Sequence, residues 1–98
     1  MLPLLAQTLD EHLAQARERL QLLERVHGLQ AEPAAEVVRQ LRAMVGEQYS
    51  HIPVFREQLA LWRVEAYTDE ELLTELQRLD AVLDQLMAVL DQILALTV

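Results

Sequence analysis

The chain has no cysteine, so a disulfide framework, a thiolate nucleophile and a zinc-thiolate site are all excluded. Its two glycines, Gly28 and Gly46, each stand alone, which leaves no glycine-rich loop to cradle a phosphate. Lysine is absent too, and eight arginines face sixteen carboxylates, a net charge of -8 that repels phosphate backbones and anionic lipid surfaces. Neither nucleic acid nor a membrane surface is an expected partner. The run from Leu86 to Val98 carries only Asp91 as a charge, yet it is far shorter than the ~20 apolar residues of a bilayer span. At the other end, Met1-Leu-Pro-Leu-Leu-Ala has no positive start of the signal-peptide kind, and Asp10 and Glu11 cut its apolar run short. A cytoplasmic protein is expected.

What is present is leucine at helical spacing. From Thr68 onward, leucines and one isoleucine stand at positions 72, 76, 79, 83, 86, 90 and 93, in alternating steps of four and three. That is a coiled-coil seam, since a 3.5-residue apolar period keeps one stripe facing a partner helix. Leu73, Val82, Met87, Val89, Leu94 and Leu96 widen the stripe on both sides, so more than one neighbour must cover this helix. Thr68 with Glu71 has the spacing of a capping box at its start.

Two further helices are predicted upstream. The first runs from Pro3 to His27, with Leu2, Leu5, Leu9, Leu13, Ala16, Leu20 and Leu23 on one face and Gly28 as a left-handed stop. The second opens at Pro33 and carries Val37, Val38, Leu41, Met44, Val45, Tyr49 and Ile52, then Phe55, Leu59, Trp62 and Ala66 in the same phase. Because the phase persists across Pro53, one long helix over 33–66, kinked near that proline, is preferred to a break that would make four helices. With no repeat, linker or low-complexity tract, residues 1–98 read as a single all-α domain, an antiparallel helical bundle.

Function is less legible. Glu47 and His51 lie one turn apart, and pairing the helices about their turns sets His12 level with about residue 48 and Asp84 with about residue 50. His12, Glu47, His51 and Asp84 are thus a candidate nitrogen-and-oxygen site for zinc, iron or manganese, with Asp80 and Asp91 on the same edge as Asp84. Their places at the margins of the stripes tell against such a site, since charged side chains there normally form a solvated rim of salt bridges. Glu24-Arg25-Val26-His27 has the Glu-x-x-His spacing of di-iron carboxylate bundles, but such a centre needs two of these motifs and further glutamates. Ser50 beside His51 makes no catalytic pair, because sequence neighbours on a helix point apart. No hydrolase is indicated.

The same pairing leaves the 58–76 hairpin longer than the first helix can cover, and that hairpin is apolar. Phe55, Leu59, Trp62, Tyr67, Leu72 and Leu76 are therefore the candidate interface, since aromatic anchors are enriched at interface centres. The leading expectation is a non-enzymatic oligomerisation or protein-binding module, a homodimer or a binder of another helical protein. The metal-binding bundle is the alternative, and an apolar ligand pocket beside Trp62 and Met44 is a third reading.

Overall fold

A computed structural model describes residues 2–29, 32–66 and 68–97 of the chain, apart from the Leu2 side chain. Three helices make up the fold: α1 (Leu2–Gly28), α2 (Ala35–Glu65) and α3 (Glu70–Leu96). Together they form an elongated bundle of 53 × 21 × 18 Å. No strand occurs among the described residues, and no helix is long and apolar enough to cross a membrane.

α3 is the hub. Leu76, Leu79, Leu83, Leu86, Leu90 and Ile93 of the expected stripe are fully buried, and Val82 and Val89 beside it are buried too. One neighbour cannot cover so wide an arc, and α1 and α2 share it. α1 contributes Leu5, Leu9, Leu13, Ala16, Leu20 and Leu23, whereas α2 contributes only Val45, Ile52 and Leu59, one residue every two turns. Both helices pack along α3, and their backbones seldom come close to each other.

Side-chain bonds fix the register. Asp10 meets Arg78, Arg17 meets Gln85 at 2.8 Å, and His27 lies 3.1 Å from the Leu96 carbonyl, so α1 and α3 run parallel with a near-constant offset. α2 runs antiparallel to α3, with Tyr49 at Asp91, Arg56 at Asp84 and Arg63 at Asp80. The ring of His12 lies 5.8 Å from that of Phe55, which sets α1 against α2.

That last contact overturns the expected overhang. Counting about the turn midpoint assumed that α1 and α2 end at one level. With His12 beside Phe55, Gly28 stands level with Arg39, so the first turn of α2 projects past the end of α1. Leu4 and Leu5 correspondingly stand level with Leu61 and Trp62 across a groove, so α1 extends alongside the hairpin while Leu61 and Val64 stay exposed. Of the expected interface, Leu59 and Leu76 are fully buried in the core. Phe55, Trp62 and Leu72 are half-buried against it, and Tyr67 lies outside the described residues.

The helix ends bring two smaller corrections. Asp69 rather than Thr68 caps α3, accepting the Leu72 amide at 3.1 Å, and Glu70 and Glu71 then lie in the first turn where the helix dipole favours them. Gly28 is the last residue of α1 without a left-handed φ, and the Leu29 amide still bonds the Arg25 carbonyl at 3.0 Å.

α2 is continuous through Pro53, as the unbroken apolar phase required. Proline nonetheless lacks the amide that would reach the Tyr49 carbonyl, and Gly46 sits in the same helix with open space around its Cα. Gly46→Ala is expected to stabilise the protein by about 1 kcal/mol and Pro53→Ala by about 1–3 kcal/mol, measured by urea unfolding. A loss on replacing Pro53 would show that its ring, not its missing donor, governs this turn.

Candidate functional site

The four candidate metal ligands do not converge. Among the described residues, no group of three or more histidine, aspartate or glutamate side chains is arranged to hold a metal ion. His12 and His51 both lie edge-on to Phe55, with ring centroids at 5.8 and 6.2 Å, so an aromatic ring rather than a shared ion is their common neighbour. Glu47 is exposed, and Asp84 accepts a hydrogen bond from Arg56 at 2.7 Å. The two-turn shift in register is the cause, since it brings Phe55 to His12 where residue 48 was expected.

The acidic edge of α3 has a different partner set. Tyr49, Arg56 and Arg63 recur every seven residues on α2 and answer Asp91, Asp84 and Asp80. Arg63 and Arg56 both pair with Asp80, and Arg56 also holds Asp84. On the far side of α3, Arg78 bridges Asp10 of α1 and Glu75. These pairs are half-exposed and each contributes at most about 1 kcal/mol, so they set register more than stability. Hydrogen bonding from Arg78 holds the Glu75 carboxyl below its usual range, and Glu75 and Asp10 raise the Arg78 guanidinium. Sequence reading passed over this ladder, whose signal was the seven-residue recurrence of tyrosine and arginine on α2.

Between α1 and α2 the lining changes character along its length. In the middle, the Nδ1 atom of His12 and the Oε1 atom of Gln48 are buried without a hydrogen-bond partner. A buried polar atom without a partner costs roughly 1–3 kcal/mol, so these two set the polar character of the seam. Toward the α1 start the two helices leave a groove of about 450 Å³, whose walls are Leu4, Leu5 and Thr8 on one side and Phe55, Gln58, Leu61, Trp62 and Glu65 on the other. Leu4 is 63% exposed and Leu61 64%, so the rim of the groove is apolar and open. Met44 packs against the core and is not part of it.

Among the described residues, the polar groups in this groove are the Glu65 carboxylate, the Thr8 hydroxyl, the Gln58 amide and the Trp62 indole. No protein-family model, curated protein or solved structure matches the chain.

Two outcomes follow for the titratable groups. Zinc or manganese should leave the melting temperature of the parent unchanged, because an ion without convergent ligands adds no folded-state binding. A rise abolished by His51→Ala would reinstate the metal site. Burial, and then the bond to Asp91 and its charge, push the Tyr49 phenol up to about 12. A raised acid contributes stability that is complete below the ordinary tyrosine value near 10 and is lost as pH climbs through the raised one. Thermal melts of the parent should therefore fall between about pH 10 and pH 12, and Tyr49→Phe should flatten that fall.

Proposed function

We propose that the chain is a non-enzymatic association module that docks a helical surface on its α1–α2 face. The observation that carries this reading is the groove at the α1 start, where exposed Leu4 and Leu61 flank half-buried Phe55 and Trp62. Isolated apolar residues on a surface are ordinary, but a concave cluster with an aromatic floor is what binding surfaces use. The homodimer expected from the sequence rested on a hairpin that overshoots α1, and α1 extends alongside that hairpin instead. The case for association now rests on the groove, which keeps Phe55 and Trp62 of the expected interface and adds Leu4 and Leu61.

Trp62 is the only tryptophan, so its emission reports on the groove directly. Association should bury its ring and shift the emission to shorter wavelength. Leu61→Asp should abolish the shift while changing folding stability by no more than about 0.5 kcal/mol, because the side chain it replaces is mostly in solvent. A chain that keeps a mass of 11.3 kDa at high micromolar concentration, and whose emission responds to no amphipathic helix, would end the association reading.

A further inference from the structure

The charges around the groove select its occupant. At this end of the bundle, residues 2–14, 51–66 and 68–83 carry nine carboxylates and three arginines. All three arginines are engaged elsewhere: Arg56 with Asp80 and Asp84, Arg63 with Asp80, and Arg78 with Asp10 and Glu75. Those pairs lie along α3, away from the α1–α2 face. Three carboxylates remain near the groove. Glu57 and Glu65 stand one turn before and one turn after Leu61, and Glu11 lies two turns on from Leu4, on the same side of α1. Among the described residues none of these three is in an ion pair, and Glu11 only accepts a bond from the Gln7 amide at 3.1 Å.

An apolar groove with Glu65 in its wall and, among the described residues, only carboxylates as the unpaired charges flanking it fits one chemistry well. From the association reading just given, we propose that the groove seats about three turns of a basic amphipathic helix from another protein. Its length follows from the α2 wall, since Phe55 to Glu65 spans roughly 16 Å at 1.5 Å per residue. The apolar stripe of the incoming helix lies between Leu4 and Leu61 on the faces of Phe55 and Trp62, and its lysines or arginines meet Glu57, Glu65 and Glu11. This is helix-in-groove recognition with the charge pattern setting the choice of partner. A second copy of the chain is a poor occupant. Two-fold pairing through this face repeats the same surface on both sides, so it would set these carboxylates against one another with no free arginine from this end to offset them.

The test uses Trp62 emission with the full-length chain and three tryptophan-free synthetic helices of about 18 residues. The first has leucines at i, i+3, i+4 and i+7 with lysine elsewhere, the second replaces lysine by glutamate, and the third keeps lysine but replaces leucine by serine. Only the leucine-lysine helix is expected to give a saturable shift to shorter wavelength. Leu61→Ser should weaken it by about ten-fold or more, the loss of one well-buried leucine. The double change Glu57→Gln and Glu65→Gln should weaken it several-fold at low salt and reduce its salt dependence. Leu22→Ser, an exposed leucine at the far end of α1, should leave it unchanged, and circular dichroism should show every variant folded.

Equal binding of the leucine-glutamate helix would overturn the choice of a basic partner, as would binding of the serine-lysine helix or an equal loss with Leu22→Ser. A parent that is itself a dimer, with Trp62 already buried and released by Leu61→Ser, would overturn it too and leave the association reading standing with a second copy as occupant. A monomer that binds none of the helices would defeat both.

Discussion

Everything in this bundle depends on one helix being apolar over too wide an arc. A single seam of leucines at a 3.5-residue period needs one partner, but α3 also carries Val82 and Val89 beside the seam, and burying both flanks needs two. α1 and α2 are therefore set on either side of α3 instead of packing closely on each other. α1, with six buried residues of its own, matches that demand well. α2 matches it poorly, with an interior proline, an interior glycine and one buried residue every two turns.

The seam between α1 and α2 is what this arrangement leaves over. Neither helix needs the other to bury its main stripe, so the contact between them is made by flanking residues: His12 against Phe55, and Gln48 with an unpaired buried oxygen. Polar atoms in the middle keep the seam from closing into a third hydrophobic interface. At the α1 start the flanking residues are large and apolar, and the helices stand apart there, which leaves Leu4 and Leu61 in solvent above Phe55 and Trp62. The groove is thus a by-product of how α3 is shared, and a feature that a partner helix would complete.

Electrostatics divides the surface in the same way. With twice as many carboxylates as arginines, the chain cannot neutralise every face, and the arginines of the α1-start end are placed along α3. Arg56 and Arg63 answer the acidic edge of α3 and hold α2 in register, while Arg78 does the same for α1. Among the described residues of this end, no arginine is left over for the side that carries the groove. The seven-residue recurrence of Tyr49, Arg56 and Arg63 sets the register of α2 on α3, and the aspartates opposite them have those side chains as partners.

How far the sequence reached follows from which distances its periods control. Positions on a helix face depend only on the 3.6-residue turn, so the all-α class, the three helices, the stripe of α3 and the continuity of α2 through Pro53 were legible from spacing alone. Side-chain capping was nearly so, with Asp69 in place of Thr68. The level of one helix against another depends on the path of the connecting loop, about which no periodicity speaks. α2 begins past the end of α1, and that displacement of about two turns from the expected level replaced a histidine-carboxylate cluster by two histidines on a phenylalanine. It also moved Leu59 and Leu76 from a supposed interface into the core and opened the groove beside Leu61. The sequence by itself determined which faces are apolar, because that is local geometry. Only the tertiary structure decided which faces meet, because register is set by packing between segments far apart in the chain.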